Sequence, residues 1–133
     1  MVAALACALT YGLVQKFIFS PPGYDKQLMY AASELNKSCP FMVDESTRLD
    51  NAVAMPGKVF QYNYTLLQVS KEELDIDTLK KYLEPDVINS VRTSPDLKPF
   101  RDNEVTMSYS YKDKAGVFVY KFSVTPDMYK DTQ

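Results

Sequence analysis

Two sets of side chains in this sequence are candidates for chemistry, and the first is a short charged stretch. Asp44, Glu45 and Asp50 flank Arg48. Paired carboxylates can hydrolyse glycosides when a cleft holds them at a suitable separation, and an acidic sheet edge can bind a cationic peptide. The same residues also fit a local ion-pair cluster, which contributes little to stability when exposed. Of these interpretations we favour the structural one, with Asp44, Arg48 and Asp50 as its members.

The second set consists of tyrosines at every other position. They are Tyr62, Tyr64, Tyr109, Tyr111 and Tyr120. Side chains at alternate positions of a strand share one face, so these phenols are expected to face one way on adjacent strands. Buried phenols need hydrogen-bond partners, which places some of them at a rim. A groove for a partner chain or an apolar ligand, with Tyr62, Tyr64, Tyr109 and Tyr111 as its face, is one interpretation. Ordinary core packing is the other, and the more common.

The composition excludes several function classes. The chain has no histidine, so it lacks an imidazole general base, proton shuttle or nitrogen ligand for a metal. Cys7 and Cys39 are far apart in sequence, which argues against a disulfide framework and a thiolate zinc site. A net charge of −2 argues against broad nucleic-acid binding. We therefore expect no enzyme activity, no cofactor, no metal and no nucleic-acid partner.

Residues 1–20 are expected to form a single transmembrane helix. Residues 1–19 are apolar apart from Thr10, Gln15 and Lys16, and a helix of that length spans roughly 28 Å, close to the bilayer core. Within the span, Gly12 allows close helix approach, Gln15 prefers a polar partner, and Lys16 can reach the headgroups. A signal peptide and a buried core helix are the alternatives.

Four stretches have the period-two pattern of half-buried strands. The clearest is residues 58–69, where large aromatic side chains alternate with polar ones. Residues 104–111 and 117–124 repeat the pattern, and residues 48–55 show it more weakly. Pro56 with Gly57, and the turn residues 113–116, predict two hairpins.

Two helices are expected to cover the sheet. Residues 24–37 have apolar side chains at three- and four-residue spacing. Ser70 and Glu73 have the spacing of a capping box at the start of a second helix. That helix has an apolar stripe, and Pro85 should kink or restart it. The stripe consists of Leu79, Leu83, Val87 and Val91.

The predicted fold class is α+β. The element order is anchor, helix, strand, strand, helix, strand, strand, which indicates a two-layer sandwich with helices on one face of a four-stranded antiparallel sheet. The predicted domains are a transmembrane anchor over residues 1–20 and a soluble α+β domain over residues 21–133.

Residues 35–66 and 95–118 resemble a group of small bacterial proteins that begin with an export or anchor segment. The positions that prompt the resemblance are Asn36, Lys37, Pro40, Asp44, Thr47, Arg48, Asp50, Tyr62 and Tyr64. The resemblance covers most of the soluble domain. It implies a bacterial, extracytoplasmic (periplasmic) placement and no particular activity.

Two functions follow as expectations. The first is a non-enzymatic accessory subunit that is held at the membrane and contacts other membrane protein subunits of a larger complex. The second is an extracytoplasmic binding or assembly module that captures a peptide or an apolar ligand on the tyrosine-rich sheet.

Overall fold

The computed structural model describes residues 24–130. Short 3-10 turns at Lys71–Glu73 and Pro95–Leu97 precede the second and third helices. The helices and strands follow in chain order as α1 (Tyr24–Asn36), β1 (Phe41–Met42), β2 (Thr47–Met55), β3 (Val59–Leu66), α2 (Ile76–Thr93), α3 (Lys98–Asp102), β4 (Thr106–Lys112), β5 (Phe118–Val124) and α4 (Pro126–Lys130).

The sheet has five strands in the order β1-β2-β3-β4-β5 and is mixed. Strands β3 and β4 are parallel, and the other neighbouring pairs are antiparallel. The predicted four-stranded antiparallel sheet is therefore wrong in strand number and in direction. Strand β1 has only two residues, too few to show a period, and pairs with Arg48 and Leu49. A parallel pair of strands needs a long crossover connection, which returns the chain to the end of the sheet where the first strand began. The connection between β3 and β4, which includes α2 and α3, is long enough to do this.

The predicted strands and both hairpins are confirmed. Strand β2 turns into β3 through Gly57, whose φ of 83° lies in the left-handed region that glycine enters without strain. Strand β4 pairs antiparallel with β5. The parallel register sets Tyr62 beside Tyr109 and Tyr64 beside Tyr111, so the alternating tyrosines of two strands lie on one face.

The main hydrophobic cluster lies on that tyrosine face. Phe60 of β3 and Met107 of β4 are completely buried there, together with Leu28 and Leu35 of α1 and Val91 of α2. The opposite face of the sheet is mostly polar, with amide, hydroxyl and charged side chains. Its hydrogen bonds join Gln61 to Asn63, Asn63 to Asn51, and Ser108 to Ser123.

The C-terminal residue of α1 completes the outer edge of β2. The Asn36 side-chain nitrogen donates to the carbonyl of Ala52 over 2.9 Å, and its oxygen accepts from the Ala52 N–H over 2.7 Å. Strand β1 pairs only with residues 48 and 49 of β2, so the asparagine takes the place of a neighbouring strand at Ala52. These two bonds hold α1 at the edge of the sheet.

Helix α2 begins later than predicted and continues through its proline. Glu73 accepts from the N–H of Ser70 over 2.8 Å, but this pair caps the 3-10 turn and not the helix. The N-cap of α2 is Asp75, whose carboxylate accepts from the N–H of Thr78. The helix runs from Ile76 to Thr93 with Pro85 inside it, so the predicted restart is not observed.

Asp113 fastens the segment before α2 to the β4–β5 turn. Its carboxylate accepts from the N–H groups of Val117, Lys71 and Ala115 over 2.8–2.9 Å. These bonds favour the charged form, and they lower the pKa of Asp113. One buried aspartate thus connects two loops that are far apart in sequence.

The predicted transmembrane helix lies outside the described residues, and so do its predicted contact residues Gly12, Gln15 and Lys16. Within residues 24–130, every helix is too short or too polar to cross a lipid bilayer. The described part of the chain thus corrects the predicted fold class to helices packed on one mixed five-stranded sheet.

Candidate functional site

Four tyrosines from the two central strands form one stacked layer. The ring centroids of Tyr62 and Tyr109 are 5.2 Å apart, and those of Tyr64 and Tyr111 are also 5.2 Å apart. The rings of Tyr64 and Tyr109 are inclined by only 7° at a centroid distance of 6.3 Å. Strand pairing sets these distances, since residues directly across a sheet have neighbouring side chains. We call these four residues the tyrosine layer.

Helix α2 does not pack closely onto the tyrosine layer. Val91 is the one residue of α2 that is fully buried, whereas Leu79, Leu83 and Val87 of the same stripe stay partly exposed. Between this stripe and the tyrosine layer lies a cavity of about 580 Å³. We call it the tyrosine cavity. Its rim includes Asp44 of the β1–β2 turn.

The hydroxyl group of Tyr62 is buried without compensation. Tyr62 lines the cavity and is 2% exposed, and its hydroxyl has no hydrogen-bond partner among the described residues. A polar group that loses water and finds no partner destabilises the fold by roughly 1–3 kcal/mol. Few buried polar groups in native proteins lack a hydrogen-bond partner, and each such group calls for an explanation.

The tyrosine layer is chemically neutral at any physiological pH. Burial raises the pKa of Tyr62, Tyr64, Tyr109 and Tyr111, because removal from water disfavours the phenolate. The negative charge of Asp44 raises the pKa of Tyr111 further. These side chains therefore offer aromatic surface and hydroxyl groups for hydrogen bonding, and they are poor nucleophiles and bases.

The predicted polar cluster is divided in the structure. Arg48 donates to Asp50 over 2.6 Å, and Asp50 also accepts from the hydroxyl of Thr65, on the polar face of the sheet. Asp44 lies at the cavity rim instead, where its carboxylate accepts from the N–H of Ser46 over 2.8 Å. The sequence places these residues in one short stretch, but the irregular register of β2 beside Asp50 and the turn before it separate their side chains.

Neither a reactive Cys39 thiol nor a metal-binding cluster gives the described residues a second candidate functional site. Burial raises the pKa of the Cys39 thiol, and the charge of Asp50 adds to the effect, so the reactive thiolate is disfavoured. In the described part of the chain, no three Asp, Glu or Cys side chains lie close enough together to hold a metal ion.

Sequence reasoning identified the tyrosine layer as a candidate face but missed Asp86 of α2. Asp86 lines the cavity beside Val87 and belongs to no motif. The four-residue spacing of Leu79, Leu83 and Val87 indicated contacts with the core. Apolar spacing alone, however, does not show how far a helix stands from its sheet. A stripe of partly exposed side chains was visible only in the folded structure.

Replacing Tyr62 with phenylalanine is expected to raise the free energy of unfolding by about 1–3 kcal/mol, because it removes a buried hydroxyl that lacks a partner. The matched control is Tyr129→Phe. Tyr129 is equally buried, but its hydroxyl donates to the Val105 carbonyl over 2.6 Å, and burial raises its pKa to about 12. Its loss leaves that carbonyl unpaired, so this variant is expected to be less stable by about 1–3 kcal/mol.

Urea unfolding of the full-length variants, followed by circular dichroism, measures both changes. Opposite signs for the two substitutions support an unpaired hydroxyl at position 62. Equal losses of stability at both positions would show that the Tyr62 hydroxyl is already satisfied within the fold.

Similar folds occur in three solved structures. One is a protein from Pseudomonas aeruginosa that is predicted to be secreted, at 13% identity and a TM-score of 0.68, covering 82% of this chain and 96% of the other. The second is the type II secretion system pilotin AspS from Vibrio cholerae, at 12% identity and a TM-score of 0.62, covering 84% and 98%. The third is the pilotin EpsS of the Vibrio vulnificus type 2 secretion system, at 7% identity and a TM-score of 0.55, covering 78% and 89%.

At such low identities these likenesses concern the fold. A comparison with curated proteins finds no match. A family model does match, over residues 23–120, from the end of the apolar segment to β5. This range is most of the chain and includes the tyrosine layer, α2 and Asp44. The chain therefore belongs to the DUF8479 family, a domain of unknown function.

Proposed function

We propose that this protein is a non-enzymatic accessory subunit of a bacterial membrane secretion complex, and that its tyrosine cavity holds an apolar segment of another subunit. The observation that carries the proposal is the cavity itself, with aromatic rings on one side and a partly exposed apolar stripe on the other. The similarity of the fold to two type II secretion pilotins supports an accessory role.

The apolar surface of the cavity favours an apolar occupant. Leu79, Leu83 and Val87 expose part of their side chains to it. Full burial of a Leu or Val side chain is favourable by roughly 1.5–3 kcal/mol, so covering this stripe offers a sizeable gain. A cavity of about 580 Å³ lies in the ordinary size range of ligand sites, and it has room for a few large side chains.

The Tyr62 hydroxyl supports binding by a second, independent route. The oxygen of this hydroxyl is shielded from solvent in the free chain, so an occupant with a carbonyl group supplies the missing hydrogen bond only when the ring turns toward the cavity. The substitution Tyr62→Phe is then expected to weaken binding while it stabilises the free protein. Such a conflict between stability and function is common at binding sites.

The ionisable groups of the cavity support a non-enzymatic role. Among the described residues that line it, only Asp44 and Asp86 have a charge at neutral pH. The N–H of Ser46 lowers the pKa of Asp44, which makes that carboxylate a weaker base. General acid–base catalysis works best with a group whose pKa is near the working pH, and neither Asp44 nor the neutral tyrosines meet that condition.

The proposal places the domain outside the cytoplasm, where an accessory subunit of a secretion complex meets its partners. The fold of a protein predicted to be secreted supports this placement. Fractionation of cells that express the tagged full chain tests it, and recovery of the domain in the cytoplasmic fraction alone would contradict it.

Site-specific photocrosslinking tests the binding role. Benzoylphenylalanine in place of Leu83 puts the reactive group in the cavity, and the same residue in place of Tyr82 puts it on the outer side of the same helix, where Tyr82 is 65% exposed. In cells of the organism of origin, the probe at position 83 is expected to crosslink to a subunit of a membrane secretion complex. The probe at position 82 is the matched control and is expected to give no such product.

Equal crosslinking from both positions, or crosslinks from position 83 only to cytoplasmic proteins, would contradict the proposal.

The second candidate function is a module that captures a free apolar ligand, and the same cavity favours it. Native mass spectrometry of the purified full chain distinguishes the two, since an apolar small molecule that remains bound supports the second function.

A further inference from the structure

The rim of the tyrosine cavity has charge of one sign. Within residues 24–130, the charged side chains that line it are the carboxylates of Asp44 and Asp86, and no Lys or Arg is among them. Neither carboxylate forms an ion pair with any residue in the range 24–130. The rim therefore presents two uncompensated negative charges beside an apolar interior.

The two carboxylates come from different elements on opposite sides of the cavity. Asp44 belongs to the β1–β2 turn on the sheet side, and its bond from Ser46 holds its carboxylate in place. This bond lowers the pKa of Asp44, so the group stays ionised well into the acid range. Asp86 belongs to α2 and is exposed to solvent. A ligand between sheet and helix meets both charges.

Carboxylates are common on protein surfaces, but these two border a preformed cavity. Inside it lies Tyr62, which is 98% buried and whose hydroxyl has no partner among the described residues. The cavity thus combines apolar and aromatic walls with an acidic rim, and its wall includes a tyrosine whose shielded hydroxyl lacks a partner among residues 24–130.

We propose that the partner segment held in this cavity is apolar and basic, with large apolar side chains next to Lys or Arg residues that face Asp44 and Asp86. The inference rests on the proposed function, and it adds the charge of the partner. Apolar contact supplies most of the affinity, whereas exposed charge pairs at a rim change affinity by modest factors and mainly set specificity and association rate. An acidic segment of the same apolarity is disfavoured by repulsion.

Three synthetic peptides with blocked termini test the proposal. Their sequences are Lys-Trp-Leu-Leu-Lys, Gln-Trp-Leu-Leu-Gln and Glu-Trp-Leu-Leu-Glu, which keep the apolar part and change only the charge. The chain itself has no tryptophan, so the peptide tryptophan can be excited alone, and its emission moves to shorter wavelength when it is buried. Each peptide is titrated with the full-length protein at low and at physiological salt.

The basic peptide is expected to bind most tightly and the acidic one most weakly, with a difference that shrinks as salt rises. Asp86→Asn and Asp44→Asn are each expected to weaken the basic peptide by about two- to fivefold and to leave the neutral one unchanged. Asparagine at position 44 keeps an acceptor oxygen for Ser46, so the turn is preserved. The control is Glu84→Gln, which makes the same charge change on α2 away from the cavity.

The outcomes separate the two proposals. Equal binding of all three peptides, or an effect of Glu84→Gln as large as that of Asp86→Asn, would overturn the basic partner and leave the cavity as a binding site. No change in tryptophan emission with any peptide would overturn both.

Discussion

Replacing Phe60 with alanine is expected to lower the free energy of unfolding by about 3–5 kcal/mol. Phe60 is completely buried under the helices. Its ring contacts Tyr62 edge to face and Phe100 at a tilt, in each case with centroids 5.1 Å apart. The substitution removes apolar contact area and leaves a void between sheet and helix, and both effects destabilise. This loss is a large part of the 5–15 kcal/mol that stabilises a typical domain.

The measurement is urea unfolding of the full chain, with Phe118→Ala as the control. Phe118 is also a strand phenylalanine, but it is 54% exposed at the start of β5, so its loss should change stability by no more than about 0.5 kcal/mol. A midpoint shift for Phe60→Ala no larger than that of the control would show that the core is not centred on β3.

Replacing Asn36 with alanine is expected to cost about 2–4 kcal/mol, an unusually large effect for a polar residue. The substitution leaves both the N–H and the carbonyl of Ala52 without partners. Ala52 is 2% exposed, and each buried backbone group that lacks a partner costs roughly 1–3 kcal/mol. The result would show that α1 is held at the edge of β2 by hydrogen bonds as well as by apolar packing.

The control for this prediction is Asn51→Ala, one residue before Ala52. Asn51 accepts a single exposed bond from Asn63, so its loss is expected to cost about 0.5 kcal/mol or less. Amide hydrogen exchange supplies a second measurement. The Ala52 N–H should exchange faster in Asn36→Ala while core amides of β3 keep their relative protection. Similar costs for the two asparagines would contradict a strand-like role for Asn36.

The tyrosine layer and the apolar stripe of α2 are well defined in the sequence, yet together they allowed two opposite interpretations, of which core packing was the favoured one. If the stripe lies directly on the rings, the tyrosines are core residues. If it lies at a distance, they line a cavity. In the fold Leu79, Leu83 and Val87 line the cavity opposite the rings and stay partly exposed, whereas Val91 is fully buried. The segment before α2 is held to the β4–β5 turn by Asp113, and α3 follows α2 directly after a short turn.

By itself, the sequence determined the strands, the two hairpins and the aromatic face of β3, because alternation and turn chemistry act over a few neighbouring residues. It also excluded an imidazole general base from the site, because the chain has no histidine. Only the tertiary structure decided that β4 runs parallel to β3, that β1 adds a fifth strand, and that Asp44 joins Asp86 at a rim while Arg48 and Asp50 lie on the other face. Strand direction and the distance between helix and sheet depend on how long connections cross the fold, and no local spacing of residues encodes them.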